Sequence, residues 1–369
     1  MMGEFNPKNI RERALGGASS SRGFTLVEVL ISMMITLIVM SAVFGLLSRG
    51  QATFQREPEI ADMQQTARAA LDMVSRDALQ AGAGLPVEFP SFTTTDIDAT
   101  VGDGGADPDT IEIIGGLGGA VEQNASPEAV DPTSFSGDAT SSTFRTAGQR
   151  TGLEIGDLVV LYSNNAMGLN GYWIMSYVQD VQEIAGPPVQ MEVTLEPTAP
   201  DPTDGGDVPT AYQSRTGALP IPFSPVFVTP ATVVRYFTQP DDTMTTSGPP
   251  VNALMRQVNF GQANPVAYLE DFQVVYLVGG TTEADELDEP PLPQPDPAVI
   301  VQAADVINGV SITVAARSLS ENLQGATEGA TAADGNFIRK SFSSNVNPRN
   351  ILSGLAERCY EETGQQCWQ

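Results

Sequence analysis

Residues Ser21 to Leu47, SRGFTLVEVLISMMITLIVMSAVFGLL, constrain this chain more than any other stretch. From Phe24 to Leu47 there are 24 residues, and Glu28 is the only charged one. At about 1.5 Å per residue the run spans roughly 36 Å as a helix, enough to cross a bilayer. A charge in such a segment costs about 2.5–3.5 kcal/mol near the bilayer centre and less near an interface. A carboxylate kept there despite that cost reads as functional, with a partner to be named. Ahead of the run lies a polar leader carrying Lys8, Arg11, Arg13 and Arg22 against Glu4 and Glu12. The positive-inside rule holds that leader in the cytoplasm and sends everything after Leu47 outward.

A cleaved secretory signal would have an apolar core of about 7–15 residues and a small-residue cleavage site beyond it. Ser41-Ala42-Val43 offers such a site, but the core here is too long and contains an acid. A plain transmembrane anchor explains the length and not the order Gly23-Phe24-Thr25-Leu26-Val27-Glu28. That order, followed by an unbroken apolar run, resembles the class III signal of type IV prepilins and pseudopilins. The resemblance implies that a prepilin peptidase cuts between Gly23 and Phe24 and methylates the new amino group of Phe24. It also implies that the apolar run anchors the subunit in the membrane and then joins the filament core. Glu28 would pair with an N-terminal ammonium, its own or a neighbouring subunit's.

The body after the anchor is strongly acidic. The net charge is −27, and the leader contributes +2, so the chain from Phe24 carries −29. No local basic patch interrupts this, which argues against direct nucleic-acid binding. Histidine is absent, which removes Ser-His-Asp and Cys-His catalysis and His-ligated zinc. No nucleophile–base pair or metal cluster stands out, so a non-enzymatic protein without a cofactor is expected. Gly and Pro together number 62 and only 17% of residues are charged, a composition of loop-rich β structure. The two cysteines, Cys359 and Cys367, lie eight apart near the C-terminus. In an extracytoplasmic chain that spacing reads as a disulfide rather than a metal site, which would need more ligands. Type IV pilins often carry such a C-terminal loop, so the resemblance agrees.

Beyond the anchor, Ile60, Met63, Ala67, Ala70/Leu71, Val74 and Ala78/Leu79 recur at spacings of three and four, predicting an amphipathic helix. Arg68, Asp72, Arg76 and Asp77 fall mostly on its other side. Pro58 is expected to bend or break the helix. Gly82 and Pro86 are expected to end it near Ala81. Gly45 stands where many major pilins have a mid-anchor proline; glycine costs about 1 kcal/mol relative to alanine without removing a hydrogen bond.

Residues 85–155 are mostly turn formers, with a short strand at Thr110–Ile114. The carboxylates of Asp103 to Asp109 lack the distal bidentate Glu of a calcium loop, Glu112 being poorly placed, and read as a solvated loop. Gly115 to Gly119 lacks the Lys-Ser/Thr of a phosphate loop and reads as a turn. Strands are predicted at Gly156–Tyr162, paired with Tyr172–Val178, and at Met191–Glu196, where apolar and polar residues alternate. After a Pro/Gly/Asp-rich connection over 197–225, further strands follow at Val226–Phe237, interrupted by Pro230, and at Asn252–Val258, Tyr268–Val278, Val306–Ala316 and Phe337–Asn347. The acidic, proline-rich stretch 281–297 is expected to be an exposed loop.

Several of these segments resemble the PilW family of minor pilins. They are Ala69-Ala70-Leu71-Asp72-Met73-Val74-Ser75-Arg76-Asp77, Gly156-Asp157, Leu254-Met255-Arg256, Leu269-Glu270-Asp271-Phe272-Gln273-Val274-Val275-Tyr276, Ala316-Arg317-Ser318 and Asn347-Pro348-Arg349-Asn350. The implied fold is α+β and pilin-like, a long N-terminal helix packed on an antiparallel sheet head with long loops. The expected organisation is a leader (1–23), a transmembrane and assembly helix (24–47), its amphipathic continuation (48–82) and a periplasmic head (83–369). The implied role is that of a minor pilin at or near a pilus tip, supporting assembly, with pili serving twitching, attachment or DNA uptake. A mass of 39.0 kDa suits a tip subunit better than a repeating shaft subunit. The implied partners are the prepilin peptidase, major and minor pilins, the inner-membrane assembly platform and the lipid bilayer. A type II secretion pseudopilin and a tip adhesin or ligand-binding module stay open as alternatives.

Overall fold

A computed structural model describes residues 24–83, 85, 91–93, 109–115, 128–138, 140–146, 151–162, 173–185, 189–202, 205–209, 225, 227–241, 243, 251–278, 285–287, 307–320, 323, 327–328 and 336–348. The chain is α+β: an N-terminal helix that begins apolar, then a β region whose strand pairs are antiparallel. Residues 1–55 and 56–369 form separate compact units.

Helix α1 runs from Leu26 to Leu79. It passes through Pro58 without the expected break. A proline removes only one helical hydrogen bond, and the turns on either side sustain the pattern. Gly82 ends it as expected, in the left-handed conformation at φ 73°. Its N–H donates to the Ile114 carbonyl at 2.9 Å, tying the helix end to a strand.

In chain order the strands are β1 (Phe92–Thr93), β2 (Ile111–Gly115), β3 (Glu128–Gly137), β4 (Ser142–Thr146), β5 (Leu158–Tyr162), β6 (Trp173–Ile184), β7 (Gln190–Glu196), β8 (Phe227–Pro230) and β9 (Thr232–Asp241). Then come β10 (Val251–Val258), β11 (Asn264–Leu269), β12 (Asp271–Val278), β13 (Asp285–Leu287), β14 (Ile307–Arg317), β15 (Thr327–Glu328), β16 (Asn336–Phe337) and β17 (Arg339–Val346). They do not form the one sheet expected. There is a five-stranded sheet, β1-β2-β9-β10-β11, and a four-stranded sheet, β13-β12-β14-β17. Six more strands close into a barrel, β3-β4-β7-β6-β5-β8, and β15 pairs with β16.

Four further departures have local causes. The turn-rich region 85–155 contains β3 and β4, because the register shifts between Asp131 and Ser136 and lets pairing resume on both sides of Pro132. The predicted strand Val226–Phe237 is two strands in different layers. Pro230 ends β8 opposite Val159 in the barrel, Ala231 N–H bonds the Leu158 carbonyl at 2.7 Å, and β9 starts in the five-stranded sheet. The predicted strand Tyr268–Val278 also changes sheets. Leu269 pairs with Asn252, and one residue later Glu270 N–H donates to the Ala315 carbonyl at 2.7 Å. Within the acidic 281–297 stretch, Asp285–Leu287 pairs with β12 as an edge strand, since ladder bonds ignore side-chain charge and edge strands tolerate acids.

Three apolar interiors result. Met63, Ala67, Ala70, Val74, Ala78 and Ala81 of the helical segment are buried against residues of both open sheets, including Ile113, Val234, Leu254, Phe272 and Val314. Four of those six helical residues are alanines, which lets the helix approach the strands closely. The barrel has its own interior around Phe144, Leu161, Ile174 and Leu195. A third cluster, with Ile114 and Val233 on one side and Trp173 and Tyr177 on the other, joins barrel to sheet. Val208, in the 197–225 stretch expected to be a plain connection, is buried there.

Candidate functional site

The sequence points to the start of α1. Phe24 and Thr25 precede the first helical turn, and Thr25 is its N-cap: its Oγ1 accepts the Glu28 N–H at 3.2 Å, and its carbonyl accepts the Val29 N–H at 3.2 Å. Thr25-x-x-Glu28 is thus the sequence form of a capping box, and Glu28 sits in the first turn, where a negative charge complements the helix dipole.

From Leu26 to Leu47 the helix is long and apolar enough to cross a membrane, with a mean hydropathy of 2.5 and no buried residue. Its large side chains are exposed around the whole circumference, from Val29 at 45% to Leu26 at 78%. Two polar side chains within it, Ser32 and Thr36, are turned back onto the helix. Ser32 Oγ donates to the Val29 carbonyl at 2.9 Å and Thr36 Oγ1 to the Ser32 carbonyl at 2.7 Å, so neither brings an unmet hydrogen bond into an apolar medium.

In the head, the helical segment is held by a charged cluster absent from the sequence reading. Asp77, expected on the polar side, accepts the Tyr236 hydroxyl at 2.6 Å and the Arg256 Nε and Nη2 at 3.2 and 3.1 Å. Burial, reinforced by Asp77, pushes the Tyr236 phenol far above its ordinary range. Burial opposes the Arg256 charge, but Tyr236 and Asp77 overcome it and raise its pKa. The missed signal lies in the spacing 63, 67, 70, 74, 77, 81, which alternates four and three and puts Asp77 on the buried stripe. Arg76 and Asp72, by contrast, lie on the exposed side as expected, where they form an i,i+4 pair at 2.7 Å.

Glu112 is buried and paired with Arg235 at 3.3 Å, a structural role rather than a calcium ligand's. Asp109, the last acid of the spaced carboxylates, accepts the Val274 N–H at 2.6 Å. Among the described residues no group of three or more Asp, Glu, His or Cys is arranged to hold a metal ion. A cleft of about 80 Å³ between Glu59, Asp62 and Thr66 of the helix and Tyr268 and Arg317 is far below the ~300 Å³ of small-molecule sites. Glu59 is already engaged there, by Ser320 N–H at 3.1 Å and Ser320 Oγ at 2.6 Å. Gly23, Cys359 and Cys367 lie outside the described residues; of the predicted site residues only Phe24 and Glu28 fall among the described ones.

A family model described as the prokaryotic N-terminal methylation motif matches residues 18–44. The match spans the end of the leader, the Gly23-Phe24 junction and most of the apolar run. It supports a type IV pilin-like or pseudopilin-like protein, membrane-anchored, processed by a prepilin peptidase and associated with pilins and their assembly machinery in general. No curated protein and no solved structure matches the chain.

Proposed function

We propose that this chain is a non-enzymatic minor pilin of a type IV pilus, held in the inner membrane by residues 24–47 and incorporated at or near the pilus tip. The observation that carries this reading is the apolar, capped helix start with a single acid at Glu28 directly after the methylation-motif junction. Cleavage between Gly23 and Phe24 frees an ammonium that is then methylated. Glu28 pairs with such an ammonium, which offsets the cost of holding a carboxylate among apolar stems. Exposed side chains of 24–47 pass from lipid to the stems of other pilins, where packing rather than water exclusion drives association. The leader, residues 1–23, stays cytoplasmic; the head lies in the periplasm and then on the filament, with Cys359 and Cys367 joined near its end.

The PilW-like assignment draws support from the Asp77–Arg256 pair, which joins two of the segments on which that resemblance rests. The size of the head favours a tip position, because bulk there does not crowd a helical lattice. Twitching, attachment or DNA uptake is the process such a subunit serves.

Mass spectrometry of the mature chain is expected to find an N-methylated Phe24; a mature start at Met1 or beyond Ala42 would overturn the signal assignment. Glu28→Ala is expected to insert in membranes yet enter filaments poorly, and normal incorporation would refute the ammonium pairing. Sheared pili should contain the chain at low stoichiometry. Recovery with a type II secretion apparatus instead would replace the pilus by the pseudopilin reading.

A further inference from the structure

Strands β2 and β9 are hydrogen-bonded neighbours, and Gly115 lies directly opposite Thr232. Between these paired residues the chain makes an excursion of 116 residues, 116–231, where a short turn would close the hairpin. All six barrel strands fall inside it. From this we infer that residues 116–231 are a grafted module, and that the surfaces used in the assembly proposed above lie outside it, as the exposed apolar run Leu26–Leu47 does.

The interiors are segregated as a graft requires. Among the described residues, every member of the barrel interior, from Val130 to Val228, belongs to the excursion. The core between helix and open sheets includes none of it among the described residues, passing from Ile113 directly to Val234. Alternation along β9 shows the division at one point: Val234 faces the helix-side core and Val233 the barrel-side cluster. Ladder bonds among the described residues respect the same boundary, since each barrel strand pairs only with barrel strands.

One residue rivets the graft to its host. Asn259, in the β10–β11 turn at φ 47°, bonds Val233 twice, through its N–H at 2.8 Å and its Oδ1 at 3.0 Å. Its carbonyl accepts the Tyr177 hydroxyl at 2.6 Å and the Gly206 N–H at 3.0 Å, both from the excursion. A side chain at Gly206 would fall 2.0 Å from the Phe260 carbonyl oxygen, so the seam admits only glycine there.

The inference rests on the minor-pilin reading for its assembly half and on topology alone for its folding half, and the test separates them. In the full chain, residues 116–231 are replaced by Asn-Gly, a turn suited to antiparallel neighbours. Ile114→Thr, Val233→Thr and Phe260→Gly accompany it so that the uncovered seam is not apolar. This variant is expected to retain hydrogen-exchange protection at Val74, Val234 and Tyr236 and to enter filaments at the level of the unaltered chain. Loss of that protection overturns the graft; retained protection with lost incorporation overturns the placement of the assembly surfaces. Failure of the unaltered chain to enter filaments sinks the pilin reading and leaves exchange to decide the graft. In a second full-chain variant, Tyr177→Phe with Asn259→Gly, amides at 206 and 259 should exchange about tenfold faster while Phe144, Ile174 and Val74 keep their protection. Uniform loss across both interiors would show a single cooperative unit and refute the graft.

Discussion

The two halves of α1 are both rich in apolar residues and share one secondary structure, yet they solve opposite problems. From Leu26 to Leu47 the apolar side chains are large, cover every side and are exposed. From Met63 to Ala81 the buried positions are mostly alanine and confined to one stripe, and the residues between them, such as Met73 at 38% and Leu79 at 46%, remain exposed. A helix apolar all round needs an apolar surrounding, whether lipid or other stems; one apolar on a stripe needs a sheet. Hydrophobicity alone does not say where a helix belongs; its distribution and side-chain size do.

The widest separation should come from one substitution made in both halves. Val74→Asp puts an unpaired carboxylate into the helix–sheet core and should cost more than about 4 kcal/mol, leaving the head unfolded by circular dichroism and proteolysis. Val39→Asp should leave the head folded and weaken membrane insertion by about 2.5–3.5 kcal/mol. Equal loss of head structure in both would erase the contrast.

Next come the two aspartates five residues apart. Asp77→Ala leaves the Arg256 guanidinium and Tyr236 hydroxyl without their acceptor in a partly buried site, at about 2–3 kcal/mol by urea unfolding. Asp72→Ala removes an exposed i,i+4 pair and should cost about 0.3–0.5 kcal/mol. Comparable losses would mean that the Asp77 cluster is no tighter than a surface pair.

Glycines give a smaller contrast. Gly82→Ala forces a side chain into the left-handed conformation and should lower head stability by about 1–2 kcal/mol. Gly45→Ala lies in regular helix with nothing within 4 Å of an added Cβ, and should leave head unfolding unchanged.

The smallest effect is on pH dependence, and it belongs to the head alone. Hydrogen bonds from Thr133, Thr140 and Thr243 hold the Asp131, Asp138 and Asp241 carboxyls below their ordinary range. A depressed folded pKa stabilises above the unfolded value of about 3.9, and that contribution is lost as pH falls through the folded value. Asp138→Asn keeps an acceptor but does not titrate, so its Tm should fall less than the unaltered chain's as the pH drops from about 5 to about 2. Asp157 runs the other way: burial raises its carboxyl, so its contribution weakens as pH rises. An unchanged acid limb in Asp138→Asn would remove the carboxylate from the account.

Much of this was legible in the chain. The stripe at 63, 67, 70 and 74, the cap at Gly82, the pairing of β5 with β6 and the alternation of Val310, Ile312 and Val314 all follow from local periodicity and turn chemistry. Strands β3 and β4 were not, because Pro132 and the Asp131–Thr133 turn look like loop while pairing resumes beyond them. Nor was Asp77, since its charge suggested solvent and its partners Tyr236 and Arg256 are 159 and 179 residues away.

By itself, the sequence determined the prepilin-type start, the apolar length of the first helix and the positions of the helix and of most strands, because these depend on neighbours along the chain. Only the tertiary structure decided how strands are shared among two open sheets and a barrel. Strands β8 and β9 are separated by one residue, Ala231, and belong to different layers, as do β11 and β12 across Glu270. Which layer a strand joins depends on ladder partners far away in sequence, and the short-range pattern of its own side chains carries no address for them.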